Sequence, residues 1–304
     1  MKINHLQRAE ISRCYAAGEA GEAIGERFGC SGVTVRRIVR ERGGSVRPRS
    51  GKYSRKHAVN ESFFDEIDTE AKAYWLGFLA ADGHISRGPT AIQLCLGESD
   101  GHHVERFKRD IESSAPAYIK VMPQRVIRGR TIRETRGMRI DVCSERLVAG
   151  LHRHGFRKYS LEHHAACVEP HLTHHYFRGL FDGDGCLSFA NVRSKATKTH
   201  LAGTTAQCIL SMCGGERLVA AFADYCRDIV GQVGPLTLRG KCYYFHIHGN
   251  RKCARVARAM YADATIYLAR KHALYLALLN REWRSFYSVG DLSSRAGIMA
   301  SLLG

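Results

Sequence analysis

Two short segments of the chain repeat one pattern, and this repeat constrains the fold more than any other feature. Residues 74–83 read YWLGFLAADG, and residues 176–185 read YFRGLFDGDG, roughly 100 residues further on. Each segment is an apolar stretch of helical length that ends in an Asp-Gly pair. Because aromatic, glycine and aspartate positions match in both segments, the chain is predicted to contain two copies of one fold unit.

The spacing of small residues predicts how the two copies meet. A small residue recurs four positions on in each segment: Gly77 and Ala81, then Gly179 and Gly183. Residues four apart share one helix face, and small side chains there let two helix backbones approach closely. We therefore expect the two segments to form paired helices. Gly83 and Gly185 fit the left-handed conformation that often ends a helix.

Two aspartates, Asp82 and Asp184, would then lie side by side where the paired helices end. The carboxyl end of a helix carries negative partial charge, and two nearby carboxylates repel each other. A divalent cation relieves both problems, because hard cations prefer oxygen ligands. These two acids therefore predict a metal site. Asp182 is excluded from it, because its counterpart in the first copy is Ala80.

The two segments resemble the paired motifs of the LAGLIDADG homing endonucleases, and the resemblance covers about residues 62–285. It implies that the motif helices form the interface between two halves and that Asp82 and Asp184 bind catalytic metal ions, Mg²⁺ or another divalent cation such as Mn²⁺. It also implies backbone oxygens of Ala81 and Gly183 as further ligands. Lys252 resembles the active-site lysine of the family, and Arg146 is a weaker counterpart in the first copy.

Composition supports a polyanionic partner. The 304 residues contain 46 Lys plus Arg against 29 Asp plus Glu, a net charge of +17, which favours nucleic acid. Eleven cysteines without a Cys-x-x-Cys pair, no signal peptide and no apolar run long enough for a bilayer predict reduced thiols in an intracellular, cytoplasmic protein, encoded by a bacterium or a phage.

The predicted fold class is α+β: two pseudo-symmetric αββαββα units forming a saddle of antiparallel sheets, plus a small all-α helix-turn-helix domain. The predicted divisions follow the changes in pattern along the chain: 1–44 helix-turn-helix, 45–61 basic linker, 62–156 first unit, 157–171 connector, 172–287 second unit, and 288–304 tail.

The first 44 residues predict three helices with a turn at residues 29–31, where Ser31 caps the third helix. In that helix Val35, Ile38 and Val39 form a buried stripe. We expect the remaining polar side chains to face a major groove: Thr34, Arg36, Arg37 and Arg40. The basic linker adds Arg47 and Arg49 as candidate phosphate or minor-groove contacts, although a solvated tether is an equal alternative.

Within the repeats, alternating strands predict one buried and one outward face. Gln93 and Gln207 are assigned matching outward positions, where a glutamine side chain suits adenine. An arginine-rich hairpin in the first unit and a basic loop in the second suit phosphate contacts. The remaining candidate DNA-binding residues are Arg128, Arg130, Arg133, Arg139, Arg193 and Lys195.

The connector between the units is rich in histidine. It contains His163, His164, Cys167 and His171, with His174 and His175 just beyond. These are possible zinc ligands, but their spacing matches no known pattern, so a His-rich connector without metal is favoured.

The predicted function is site-specific, metal-dependent hydrolysis of one phosphodiester in each strand of DNA. The predicted partner is double-stranded DNA with a long asymmetric site, bound by a monomer away from any membrane. The alternative is a transcription regulator of related fold that binds DNA without cutting it. An added role as an RNA maturase stays open.

Overall fold

A computed structural model describes residues 3–46, 57–86, 88, 90–127, 130–157, 159–194 and 203–280, with backbone alone at 127, 130, 191–194 and 203–206. The chain divides into two compact units, Met1–Lys56 and His57–Gly304. Each unit has its own hydrophobic core.

Over residues 3–46 the smaller unit has three helices, α1 (His5–Ala16), α2 (Gly21–Arg27) and α3 (Gly32–Glu41). The turn between α2 and α3 uses Gly29 at φ +64°, a conformation that glycine adopts without strain. Ser31 then caps α3, because its Oγ accepts a hydrogen bond from the backbone N–H of Thr34 at 3.3 Å. The core contains the predicted stripe of α3 among its members: Ile11, Cys14, Tyr15, Ile24, Val35, Ile38 and Val39.

The larger unit contains the two repeats. The elements of the first repeat are α4 (Glu70–Asp82), β1 (Gly83–Ile85), β2 (Ala91–Gly97), α5 (Gly101–Asp110), β3 (Tyr118–Met122), β4 (Arg125–Ile127), β5 (Arg130–Ile132), β6 (Thr135–Cys143) and α6 (Glu145–Arg153). Four of its strands form an antiparallel sheet in the order β1-β2-β6-β3, and β4 and β5 pair as a separate ribbon within the arginine-rich hairpin.

The second repeat follows the same order. Its elements are α7 (Thr173–Asp184), β7 (Gly185–Ser194), β8 (Gly203–Gly214), α8 (Glu216–Val230), β9 (Thr237–Arg239), β10 (Cys242–His248), α9 (Asn250–Tyr261) and α10 (Ala269–Asn280). The strands form an antiparallel sheet in the order β7-β8-β10-β9. Two sheets with matching order, each preceded by a motif helix, confirm the predicted α+β class.

The motif helices α4 and α7 pack with their backbones in direct contact. A Cβ atom built on Gly77 would lie 2.0 Å from the carbonyl oxygen of Tyr176, and one on Gly179 would lie 2.0 Å from that of Tyr74. Nearer the carboxyl ends of the two helices, a Cβ built on Gly183 would lie 2.2 Å from the Cβ of Ala81. The small residues are therefore required by the close approach of the two helices, as their spacing predicts.

The glycines that end the two helices differ from the prediction. Gly83 (φ −76°) and Gly185 (φ −81°) are extended rather than left-handed, because each is also the first residue of a strand. The absence of a side chain is needed for another reason. A Cβ on Gly83 would lie 2.5 Å from the carbonyl oxygen of Leu79, and one on Gly185 would lie 2.1 Å from the Phe181 ring.

One continuous core runs through both repeats and includes the apolar faces of both sheets. In β2, Ile92, Leu94 and Leu96 are buried, while the intervening Gln93 and Cys95 are half-buried on the opposite face. Among the described residues, no helix combines the length and apolar character that crossing a membrane requires. All eleven cysteines are free thiols.

Candidate active site

The paired helices bring Asp82 and Asp184 together. Asp82 is the last residue of α4, and Asp184 is the last residue of α7. Oδ2 of Asp82 lies only 3.4 Å from where a Cβ on Gly183 would stand, directly before Asp184. Burial, and after it the negative charge of Asp82, raises the pKa of Asp184 to about 7. Two carboxylates are therefore held close together at the end of the helix pair, and the charge of Asp82 disfavours ionisation of Asp184.

Asp82 keeps access to solvent although protein surrounds it on several sides. Its side chain belongs to an exposed residue, yet burial raises its pKa, an effect opposed by the charges of Lys271 and Arg270. Arg270 is itself paired with Asp100, with 3.0 Å between Nε and Oδ2. An accessible acid with few compensating hydrogen bonds is available to a cation from solution.

Asp182 has a different environment, which agrees with its exclusion from the predicted site. It is fully buried and accepts hydrogen bonds from the hydroxyls of Tyr74 and Tyr261 and from the backbone N–H of Leu268. The Tyr74 contact, 2.8 Å long, crosses from α4 to α7. Because it is fully buried and already accepts three hydrogen bonds, Asp182 joins the two repeats and is not exposed to an ion from solution.

Lys271 is a component of the site that the sequence interpretation did not select. This residue of α10 is 3% exposed, and its ammonium donates to backbone carbonyls where α7 ends. Burial lowers its pKa to about 8, which leaves it mostly charged at pH 7. A signal was present, because Lys271 lies four and seven residues before the buried Tyr275 and Leu278, on the buried face of the helix.

A buried ion pair holds the segment that precedes Lys271. Arg178 of α7 is fully buried, pairs with Glu70 of α4, and donates to the carbonyl oxygens of Met260 and Ile266 at 2.8 and 2.9 Å. Glu70 in turn accepts from the backbone N–H of Thr265 at 2.8 Å. The connection from α9 to α10 is therefore tied to both motif helices, which fixes where α10 begins.

The donor set fits a hard divalent cation only in part. The carboxylates of Asp82 and Asp184 are oxygen ligands in the right place. The carbonyl oxygen of Gly183, expected as a further ligand, instead accepts a hydrogen bond from Lys271 Nζ at 3.1 Å. Among the described residues, no side-chain donor is seen on the carbonyl of Ala81, the matching oxygen of the first repeat.

The structure does not bring the other two predicted basic residues to the acids. Nζ of Lys252 donates to the carbonyl oxygen of Gln232 at 2.8 Å. Arg146 pairs with Asp65 on the surface. Both lie in the first turn of the helix that follows the last strand of each sheet, α9 or α6, and their part in catalysis stays a prediction.

The outward faces of the sheets carry polar side chains beside the acids, but not in the predicted register. Gly83 pairs with Leu94 and Gly185 pairs with Met212, so the counterpart of Gln93 is Ser211. Gln207 lies four residues before Ser211 in β8, opposite Ala190. The matching assigned to Gln93 and Gln207 is therefore corrected: the β7–β8 pair is longer than the β1–β2 pair.

On the first sheet the outward side chains bind one another. Asp141 accepts hydrogen bonds from Arg139 at 2.6 and 2.9 Å and from the Tyr118 hydroxyl at 2.6 Å, and Gln93 also bonds to it. The Arg139 hydrogen bond is the main reason that the pKa of Asp141 is lowered. Arg139 is thus oriented by a carboxylate before any partner arrives.

The predicted DNA-binding residues of the smaller unit differ in exposure. Arg37 and Arg40 are exposed on α3. Arg36 instead bonds to Glu22 of α2 at 3.0 Å, and Thr34 is half-buried with its hydroxyl 3.1 Å from that of Ser31. Arg36 therefore ties α3 to α2 and Thr34 bonds within the cap of its own helix, and a contact of either with DNA stays a prediction.

The basic loops are described only in part. Arg133 is exposed beside the β4–β5 ribbon, Arg130 lies in β5 and Arg193 in β7. The remaining predicted contacts fall outside the described residues: Arg47, Arg49, Arg128 and Lys195.

A second cluster of possible metal ligands lies at the start of α7. Ligand atoms of His174, His175 and Asp263 lie within 4.8 Å of one another, the one such group among the described residues. His175 Nδ1 is, however, 2.8 Å from the guanidinium of Arg178, whose charge opposes a second cation. The cluster reads as hydrogen bonds that hold α7, and the connector residues His163, His164, Cys167 and His171 do not converge on it.

Comparison with known proteins gives similarity at the level of solved structures only. No family model matches the chain, and no curated protein matches it. The structures to which it is similar include the LAGLIDADG meganuclease I-AabMI bound to uncleaved DNA, with 12% identity, 76% of this chain and 98% of that chain covered, and a TM-score of 0.44.

Two further structures are similar over most of the chain. The LAGLIDADG homing endonuclease I-LtrWI bound to target DNA has 10% identity, covers 80% of this chain and 96% of its own, and has a TM-score of 0.46. For the LAGLIDADG meganuclease I-CpaMI bound to uncleaved DNA the values are 9%, 78%, 97% and 0.48. The chain is thus similar to several LAGLIDADG endonucleases, at a distance from which no activity is inferred.

Proposed function

We propose that this chain is a site-specific endonuclease that hydrolyses both strands of double-stranded DNA with divalent metal ions, Mg²⁺ or Mn²⁺. The observation that carries the proposal is the meeting of Asp82 and Asp184 at the ends of two paired helices. Burial and the charge of Asp82 raise the pKa of Asp184 to about 7, so ionisation of the pair is unfavourable until a cation binds. A pair of acids placed at such a cost, with solvent access at Asp82, is better explained by metal binding than by stability.

The site residues have different roles in the proposed reaction. Asp82 and Asp184, with the carbonyl oxygen of Ala81, would hold the metal. A bound divalent cation supplies activation of water and stabilisation of the leaving oxygen in phosphodiester hydrolysis. Because each acid directly precedes the first strand of its sheet, DNA on the outward faces would place its backbone over them. Since one chain supplies both acids, the proposal needs only a monomer.

Charge and exposed side chains support DNA as the partner. The net charge of +17 favours a polyanion. Gln93 and the Arg139–Asp141 pair lie on the outward face of the first sheet, with donors and acceptors suited to base edges in a major groove. Arg37 and Arg40 are exposed on α3 of the smaller unit, which we propose as a second, helix-turn-helix contact.

The test is selection and cleavage with a randomised duplex library in Mg²⁺. A site-specific endonuclease produces double-strand ends that share a flanking sequence when sequenced. Enrichment of a sequence without cut ends would instead support the DNA-binding regulator. If the library shows no cutting and no enrichment, both functions are contradicted.

Replacing either acid tests the metal site. Asp82→Asn and Asp184→Asn are expected to lower the cleavage rate more than about 100-fold, the upper end of what even outer-shell changes at metal sites cost. DNA binding measured in Ca²⁺ should persist, because the base contacts lie elsewhere. Asp224→Asn, at an exposed position of α8, is the matched control and should cut normally. Full activity of both site variants would contradict the proposal.

A further inference from the structure

The carboxyl end of α7 is contacted by a cationic side chain of the protein itself, the ammonium of Lys271. Lys271 Nζ donates to the carbonyl oxygens of Phe181, Asp182 and Gly185 at 2.6 Å each and to that of Gly183 at 3.1 Å. An ammonium has three protons, so with four acceptors at least one hydrogen bond is shared. The arrangement resembles a carbonyl cage around a small cation.

Such a cage compensates several negative charges at once. The carboxyl end of α7 carries the negative end of the helix dipole. Asp182 lies in the last turn of α7, and the charge of Lys271 acts on it and also on Asp82 and Asp184. The carbonyl oxygen of Phe181 also accepts from the backbone N–H of Gly185, and Lys271 supplies a charged donor to the carbonyls of Asp182, Gly183 and Gly185 as well. The ammonium therefore keeps the turn that carries Asp184 folded when no metal is bound.

The first repeat lacks this feature. In the described part of the chain, no ammonium or guanidinium donates to the matching carbonyls at the end of α4. After α6 the chain continues into a short 3-10 turn, Ser160–Glu162, where the second repeat has α10 after α9. The two halves of the site are thus unequal, although the carboxylates themselves match.

We propose that Lys271 is a positioning residue that occupies the carbonyl ligand of the second repeat, so that a divalent cation is held by Asp82, Asp184 and the carbonyl of Ala81 but not by Gly183. This inference rests on the proposed metal-dependent function and makes its metal site asymmetric. Lys271 fixes Asp184 in the orientation that the shared ion needs, and it does not itself meet the substrate.

The first test replaces the ammonium and follows stability against a metal alone. In the full-length chain, Lys271→Met should lower the thermal unfolding midpoint in EDTA. Millimolar CaCl2 should then raise the midpoint at least twice as much in Lys271→Met as in the unchanged protein, because freed carbonyls and unopposed carboxylates bind Ca²⁺ more tightly. Lys72→Met, which removes a surface ammonium paired with Asp68, is the matched control and should respond to Ca²⁺ as the unchanged protein does. If Ca²⁺ raises the midpoint equally in the unchanged protein and both variants, Lys271 only caps the helix and the proposal is overturned.

The second test needs no variant, so it also covers a Lys271→Met chain that fails to fold. Crystals of the unchanged protein are soaked in MnCl2 and the ion is located by its anomalous scattering. The expected result is Mn²⁺ on the carboxylates of Asp82 and Asp184, with Gly183 still bonded to Lys271. Mn²⁺ ligated by the carbonyl of Gly183, with Lys271 displaced, would overturn the inference and leave the proposed function standing. No ion on the carboxylates would overturn the metal-dependent function and the inference with it.

Discussion

Single side chains at the centre of the larger unit join the repeats through hydrogen bonds whose direction can be assigned. Tyr74 has one hydroxyl proton, which it donates to Asp182. Nε2 of His103 lies 2.8 Å from the same hydroxyl oxygen, so His103 must carry its proton on Nε2 and donate it. The ring is 2% exposed, and burial lowers the pKa of His103 to about 3. A neutral histidine is therefore built into the contact between the halves.

This histidine should make stability depend on pH. Between pH 6.5 and 3 the unfolded chain binds a proton at His103 and the folded chain does not. Stability from this residue is therefore complete above about pH 6.5 and falls as the pH drops, by up to about 1.4 kcal/mol per pH unit. From pH 6.5 to 5 the loss is about 2 kcal/mol at most.

Urea unfolding at pH 7 and pH 5 measures the effect. His103→Gln should lower stability at pH 7 because the buried contact is lost, yet lose less on acidification than the unchanged protein. His102→Gln changes the exposed neighbouring histidine and should keep the full pH dependence. If His103→Gln and the unchanged protein lose equal stability between the two pH values, the neutral buried histidine is not the cause.

At the scale of the elements, the contact between α4 and α7 depends on glycine. Gly179→Ala would place a Cβ 2.0 Å from the carbonyl oxygen of Tyr74 and 2.8 Å from the backbone N of Phe78. Backbone atoms cannot turn aside as a flexible side chain can, so the helices must separate. We expect the free energy of unfolding to fall by about 1–3 kcal/mol or more, seen as a lower midpoint of thermal unfolding.

A matched alanine substitution separates this steric effect from loss of glycine as such. Gly97→Ala lies at the exposed end of β2, where the nearest atom is Ser99 Oγ at 3.9 Å, and should change stability little. An unchanged midpoint in Gly179→Ala would mean that the helices do not approach as closely as described. A matching loss in Gly77→Ala is expected from the pseudo-symmetry, because its Cβ would lie 2.0 Å from the carbonyl oxygen of Tyr176.

The elements also show which properties a sequence can predict. Periodicity and the Gly-x-x-x-small spacing predicted the paired helices and most strand positions, because those follow from local pattern. The register of Gln207 was missed, since the length of the β7–β8 pair is set by pairing across the hairpin. The cage around Lys271 was missed as well, because it forms only when α10 packs on the end of α7. Arg36 was assigned outward from helix geometry alone, without Glu22 of the neighbouring helix.

At the scale of the whole molecule, the described part of the chain has two separate hydrophobic cores. The core around Ile11, Ile24 and Val35 belongs to Met1–Lys56, and the core through both repeats belongs to His57–Gly304. Because stability follows from burial within each core, one unit should fold without the other. The acids Asp82 and Asp184 both lie in the larger unit, so the proposed cleavage and the proposed helix-turn-helix contact should be separable.

Removing residues 1–56 tests this division. The shortened chain should keep the thermal midpoint of the larger unit and still cut a selected DNA site, because Asp82, Asp184 and Lys271 are retained. Its DNA affinity should fall, since two linked binding units gain effective concentration that one lacks. The plot of log affinity against log salt concentration should also become shallower, because fewer phosphates are contacted and each contributes about 0.9 to the slope. Binding titrations at several KCl concentrations measure both quantities, and an unchanged slope after truncation would show that the smaller unit makes no phosphate contacts.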